Sequence, residues 1–99
     1  MIKKPAREKA EYRSAIRSRK LIKRAYVELL KEKDIDKISV KDVVTRADLN
    51  RGTFYAHYAS VYAVSEQIRS EITSALLEIL DKFKKTWLIE NTLPIIRKI

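Results

Sequence analysis

Helix-breaking residues are nearly missing from this chain, whose 99 residues include one glycine, Gly52, and two prolines, Pro5 and Pro94. Both residue types disfavour the interior of a helix, and tight turns between strands depend on glycine-containing pairs. No such pair separates alternating apolar and polar runs here. We therefore expect a fold made of helices, without strands.

The spacing of apolar residues places two helices in the first half of the chain. Apolar positions three and four apart predict a one-sided helix over about residues 14–33. Residues 33–38 break that rhythm and are expected to form a loop. Ser39 then offers an N-cap, and Asp42 completes a shortened capping box for a second helix that ends at Ala47.

Two further helices are expected in the second half. Asn50 is a good N-cap for a third short helix that reaches Tyr58. From Val61 to Trp87, apolar residues three and four apart predict one long amphipathic helix, and Pro94 should end helical continuity.

The second and third helices have about two turns each and are joined by a tight turn. Helices this short are not stable alone, so they must pack across each other and onto the first helix. Ala47 is the small residue expected at the crossing, and Leu49 is the apolar residue expected beneath the turn. The predicted fold class is all-α: a three-helix helix-turn-helix domain followed by a long fourth helix.

Positive charge is concentrated at the start of the chain. The net charge is +9, and residues 1–24 carry ten basic and two acidic residues, whereas residues 25–60 carry six of each. The basic residues of this arm are Lys3, Lys4, Arg7, Lys9, Arg13, Arg17, Arg19, Lys20, Lys23 and Arg24. Such a concentration indicates a polyanionic partner, although a solvated tail, a membrane surface or an acidic protein would also fit the charge alone.

Several classes of function find no residues to support them. The chain has no cysteine, which removes disulfides and most zinc sites and fits a reducing cytoplasm. No apolar run is long enough to span a bilayer. His57 is the single histidine and stands without clustered carboxylates. We therefore expect no catalytic residues, no metal site and no cofactor, and the chain is not expected to be an enzyme.

The third helix has two chemically different faces. Phe54 and Tyr58 lie four residues apart on a face expected to be buried. The opposite strip contains only small side chains, and Arg51 and Tyr55 flank it. A helix that enters the major groove of DNA needs this layout, because small residues permit close approach and the flanking side chains reach bases and phosphates.

The run from Ser39 to Tyr58 resembles the DNA-binding domain of the TetR family. The segments Ser39-Val40-Lys41-Asp42-Val43-Val44 and Arg46-Ala47-Asp48-Leu49-Asn50-Arg51-Gly52-Thr53-Phe54-Tyr55-Ala56-His57-Tyr58 carry the resemblance, which spans about residues 15–70. The resemblance implies a transcriptional regulator that acts as a repressor and binds a pseudo-palindromic DNA operator as a homodimer.

The resemblance also implies roles for individual residues. Arg51, Thr53 and Tyr55 would read bases or anchor phosphates, and Ser39 with its helix N-terminus would hold a phosphate. The full set of expected DNA-contacting residues is Ser39, Lys41, Asn50, Arg51, Gly52, Thr53, Tyr55, His57 and Ser60. Three of these also have an ordinary structural explanation, which weighs equally only for Lys41 as a solvated lysine: His57 could be a packing residue, and Gly52 a first-turn glycine of small cost, although close approach to DNA is favoured for Gly52.

Three positions depart from the family pattern. Asp48 replaces the turn glycine and must adopt the left-handed conformation at some cost. Asn50 replaces the usual N-cap serine, which is a conservative change. Val61 replaces a lysine at the start of the fourth helix, so one expected phosphate contact is missing there.

The expected organisation is a basic arm over residues 1–13, the helix-turn-helix domain over 14–70, and over 71–99 an extension of the fourth helix that begins an incomplete regulatory region. The arm could equally form a helix continuous with the first. The 99 residues are too few to build an effector pocket, so no small molecule is expected to bind this segment alone. The alternative function is a basic helical module that binds an acidic protein or a membrane surface.

Overall fold

The computed structural model describes the backbone of residues 6–98 and the side chains of residues 8–92, and within that range every regular element is helical. The elements are α1 (Ala6–Leu30), a 3₁₀ turn (Ile35–Lys37), α2 (Val40–Ala47), α3 (Arg51–His57) and α4 (Val61–Lys98). The predicted all-α fold class is confirmed. The chain divides into two compact units, residues 1–67 and residues 68–99.

α1 begins earlier than apolar spacing alone predicts. The expected start was about residue 14, whereas the helix begins at Ala6 and is continuous through Leu30. Residues 6–13 contain alanine, arginine, glutamate and lysine, which are strong helix formers without any apolar face. Lys3, Lys4 and the Arg7 side chain lie outside the described residues.

The core of the first unit is small and almost entirely hydrocarbon. α1 packs against both α2 and α3, and α2 packs against α3. Phe54, Ile22, Val43 and Val64 have no exposed surface. Among residues 8–92, the buried ones are Ile22, Ala25, Tyr26, Leu29, Ile38, Val43, Val44, Phe54, Tyr58 and Val64. Ala47, expected at the helix crossing, and Leu49, expected beneath the turn, are half-buried.

The predicted capping box opens α2. The Ser39 hydroxyl accepts a hydrogen bond from the Asp42 amide at 3.1 Å, and the Ser39 amide donates to Asp42 Oδ2 at 3.1 Å. Two of the four amides that lack helical partners are satisfied in this way. The Lys33 ammonium lies 3.0 Å from the same Asp42 oxygen, so the cap also ties α2 to the segment that follows α1.

The turn after α2 depends on a left-handed residue. Asp48 has φ 56° and ψ 46°, and it is the single non-glycine residue with positive φ among those described. This conformation lets the Leu49 amide donate to the Val44 carbonyl at 2.9 Å, while the Asp48 amide donates to Thr45 at 3.3 Å. The expectation that Asp48 replaces the turn glycine in this geometry is confirmed.

Arg46 fixes α2 against α1. Its Nη2 lies 2.7 Å from Glu32 Oε2, and its Nη1 lies 3.5 Å from Glu28 Oε2. These pairs raise the pKa of Arg46, chiefly through the hydrogen bond with Glu32. All three groups are at least a third exposed, so the pairs align the helices more than they stabilise the fold.

The expectation that Pro94 ends helical continuity is wrong, because α4 runs to Lys98. Proline removes one backbone donor and strains the preceding turn, which kinks or weakens a helix without always stopping it. Every residue from Arg69 to Thr92 is exposed. Within the second unit, the exposed side chains include Ile72, Leu76, Ile79, Leu80, Phe83 and Trp87.

Candidate nucleic-acid interface

α3 is a seven-residue helix whose start is fixed by its own cap. Asn50 Oδ1 accepts a hydrogen bond from the Thr53 amide at 2.7 Å, and the backbone of Asn50 is extended as an N-cap requires. At the other end, the Tyr58 amide donates to the Phe54 carbonyl at 2.9 Å. The predicted bounds of this helix are therefore correct to within one residue.

One face of α3 is buried and the other is open, as its sequence predicts. Phe54 is fully buried and Tyr58 is 7% exposed. Arg51, Gly52, Tyr55 and Ala56 are exposed, and we call these four residues the outer face of α3. Thr53 and His57 lie between the two faces and are half-buried.

Gly52 has a structural reason to be glycine besides close approach to a ligand. A Cβ built at this position would lie 3.3 Å from Asn50 Oδ1, the oxygen that caps α3. That distance is tight, so a larger residue would press on the cap. The cost of glycine in a helix is small here because the residue lies in the first turn.

Arg51 and Tyr55 contact each other on the outer face of α3. Arg51 Cζ lies 5.8 Å from the centre of the Tyr55 ring, and Arg51 Nη2 lies 3.5 Å from the Tyr55 hydroxyl. Phe54 meets the Tyr55 ring edge-on at a centroid distance of 5.4 Å. The four-residue spacing that allows this contact is visible in the sequence, but the sequence interpretation did not name the pair.

The remaining expected site residues lie at helix starts. The Ser60 hydroxyl accepts from the Ala63 amide at 3.1 Å and caps α4. Ser39 caps α2, and Lys41 is exposed in the first turn of that helix. Each capping oxygen is already used as an acceptor, but serine hydroxyls and the Asn50 amide group still carry protons to donate.

The carboxylate at the start of α2 adds a negative charge beside these donors. The amide hydrogen bond from Ser39, followed by the hydrogen bond from Lys33, lowers the pKa of Asp42 from 3.8 to about 2. Asp42 is thus ionised at neutral pH and occupies the Ser39 amide. A phosphate at this helix start would meet the Ser39 hydroxyl and Lys41, not that amide.

A second surface lies along α1, and the alignment of its basic residues on one side of the helix was not predicted from the sequence. Lys9, Arg13, Arg17, Lys20 and Arg24 are exposed at spacings of three and four residues, so they share one side of the helix. We call these five residues the basic face of α1. It spans about 22 Å at 1.5 Å per residue and lies opposite the buried Ile22. The signal was present in the spacing of the basic residues.

The described residues contain no group of three or more His, Asp or Glu side chains that could hold a metal ion. None of the described helices is both long and apolar enough to cross a membrane.

Comparison with known proteins agrees with this geometry. Residues 22–65 match the family described as "Bacterial regulatory proteins, tetR family". The chain is 32% identical over 76 residues to the uncharacterized HTH-type transcriptional regulator YxbF of Bacillus subtilis (strain 168), covering 76% of this chain and 19% of that protein. It is 35% identical over 57 residues to the uncharacterized HTH-type transcriptional regulator YvdT of the same organism, covering 58% and 29%. No solved structure matches the chain.

The chain therefore spans less than a third of the length of these curated relatives. The matched residues run from the buried Ile22 of α1 to Ser65 of α4 and contain α2, the left-handed turn and α3. Through this helix-turn-helix segment, residues 22–65, the chain matches the tetR family of bacterial regulatory proteins.

Proposed function

We propose that this chain binds duplex DNA in a sequence-specific manner, as a transcriptional regulator of the repressor type, with α3 in the major groove. The observation that carries the proposal is the outer face of α3, where two small residues are flanked by Arg51 and Tyr55. An α-helix fits the major groove when small side chains let its backbone approach the bases. Thr53 and His57 lie at the border of this face, within reach of the groove edges.

Phosphate contacts are proposed for the helix starts and for α1. Ser39, Lys41, Asn50 and Ser60 present donors at the starts of α2, α3 and α4, and such donors fix the register of a protein on DNA. The basic face of α1 adds attraction that does not depend on sequence.

Selection from a random duplex pool tests the proposal. The 99-residue chain should enrich one motif, and Arg51→Ala should weaken binding to it by about 1–3 kcal/mol. Lys31→Ala is a matched control, because it removes one exposed cation outside α3. Recovery of random sequence by a folded parent protein would contradict sequence-specific binding.

Pairing with a second copy is proposed for the second unit. Ile72, Leu76, Ile79, Leu80, Phe83 and Trp87 share one side of α4 and are between 52% and 67% exposed. Exposed apolar patches of this length mark interfaces, and burial of each large side chain contributes about 1.5–3 kcal/mol. A dimer would bring two copies of α3 to a pseudo-palindromic operator.

Sedimentation at micromolar concentration tests the pairing. Ile72→Glu with Leu76→Glu should shift a dimeric parent to monomer. Ser70→Glu with Ser74→Glu, which adds the same charge to the other side of α4, should not. A parent that sediments as a monomer would contradict the pairing in this chain.

The alternative proposal uses the basic face of α1 to bind an acidic protein or an anionic membrane. It accounts for the five aligned cations but leaves the outer face of α3 without a role. Binding to anionic vesicles without binding to any duplex would favour it. With a DNA-binding role we also propose that the protein is cytoplasmic.

A further inference from the structure

Arg51 and Tyr55 lie in contact on the outer face of α3. Tyr55 is itself braced by the edge contact with Phe54, which is fully buried. A series of contacts therefore runs from the core of the first unit to the Arg51 guanidinium. Arg51 is in the first turn of α3, the part of a recognition helix that reaches base edges.

The guanidinium remains available for a new partner. No carboxylate forms an ion pair with Arg51 among the residues whose side chains are described. The group carries five N–H donors in a planar fork and accepts nothing. Arg51 Nη2 lies 3.5 Å from the Tyr55 hydroxyl, a distance at the outer limit of a hydrogen bond.

The chemistry of the major groove selects one base for such a fork. Guanine presents two neighbouring acceptors, O6 and N7, whereas adenine pairs an acceptor with a donor, cytosine presents a donor, and thymine presents one acceptor and a methyl group. Phosphate also accepts two hydrogen bonds from arginine. The base is favoured here because Arg51 borders the Gly52–Ala56 strip, where the backbone comes nearest to the bases.

We infer that Arg51 reads a guanine in each half-site of the operator and that Tyr55 is a positioning residue that orients the guanidinium plane for this contact. The inference rests on the proposed function and deepens it. A good bidentate contact discriminates against the wrong base by about 5- to 150-fold. Loss of the orienting ring should reduce that preference by about two- to tenfold, since the side chain must then be immobilised on binding.

The test begins with the motif selected by the parent chain. At each guanine of that motif, a duplex with 7-deazaguanine keeps Watson–Crick pairing and O6 but removes N7. We expect one such substitution per half-site to weaken the parent's binding by about fivefold or more. The same duplex should make no difference to Arg51→Ala. Because this comparison uses the unaltered parent, it does not depend on how the variants fold.

The role of Tyr55 is read from two variants. Tyr55→Phe keeps the ring and should retain most of the guanine preference, whereas Tyr55→Leu should lose two- to tenfold of it while binding the 7-deazaguanine duplex as the parent does. Equal loss of affinity by Tyr55→Leu on both duplexes would overturn the positioning role, because Tyr55 would then contact the backbone.

Failure of the inference and failure of the function are distinct. If the parent enriches no motif, the proposed function is wrong. If it enriches a motif but Arg51→Ala keeps every base preference, or no guanine is sensitive to loss of N7, the function stands and the guanine assignment is wrong.

Discussion

Enlarging Ala56 tests whether the outer face of α3 enters a groove. Ala56 is exposed, while Phe54 and Tyr58 on the other face are buried. Ala56→Leu therefore places three extra carbons in solvent and leaves the core unchanged. Both residues are strong helix formers. The free energy of unfolding should change by less than about 0.5 kcal/mol.

In a complex with DNA the same substitution should be costly. The major groove is about 12 Å wide, and a helix with its side chains measures about 10–12 Å, so the groove has no room for three added carbons. Lifting α3 would forfeit the base contact of Arg51, at about 1–3 kcal/mol. That loss corresponds to a weakening of about 5- to 150-fold.

Fluorescence anisotropy with the selected duplex measures this loss, and a thermal melt checks that the variant folds. Ala75→Leu, the same change at an exposed position of α4, should bind as the parent does. An Ala56→Leu protein that melts and binds like the parent would show that another surface faces the DNA.

Three further predictions address the turn, the cap and the charge. Asp48→Gly should raise the melting temperature by about 2–8 °C, since glycine adopts positive φ without the steric cost of a Cβ. A melting temperature below that of the parent would show that the backbone of Asp48 is not strained. Because the pKa of Asp42 falls from 3.8 to about 2 on folding, its contribution to stability is complete above pH 4 and is lost as the pH falls to 2. The difference in melting temperature between parent and Asp42→Asn should shrink over that window, and a constant difference would refute the assignment. Replacing the three arginines of the basic face of α1 by alanine should weaken binding to all duplexes alike. The slope of the logarithm of the binding constant against the logarithm of the salt concentration should become shallower by about 0.9 per lost phosphate contact. Lys82→Ala, Lys84→Ala and Lys85→Ala together should have neither effect.

Local hydrogen-bonding chemistry explains why so much of α2 and α3 could be predicted. The caps at Ser39 and Asn50 form between residues three apart, so their geometry is encoded within one turn. Asp48 follows the last residue of α2, where the chain must reverse, and only a left-handed residue permits the observed turn. Such features need no knowledge of the rest of the fold.

Features that depend on tertiary contacts or on weak patterns were not predicted. Arg46 meets Glu32 and Glu28, which lie 14 and 18 positions away in the sequence, and nothing local selects those partners. Residues 8–13 are all exposed, so apolar spacing gives no sign of this part of α1, and from the sequence a continuous helix was only one of two alternatives for the arm. Pro94 does not end α4, because a proline can weaken or kink a helix without stopping it.

The stability of α3 comes mainly from residues that lie outside its outer face. A helix of seven residues cannot persist alone, so its stability comes from Phe54, from Tyr58 and from the cap at Asn50. Arg51, Tyr55 and Ala56 are exposed and contribute little to that support beyond the edge contact of Tyr55 with Phe54, so changes there should alter the sequence bound with little effect on folding. Gly52 is the exception, since its missing Cβ leaves room for the Asn50 cap. Substitutions at Gly52 should therefore affect stability and binding together, whereas substitutions at the other three residues of the outer face should affect mainly binding.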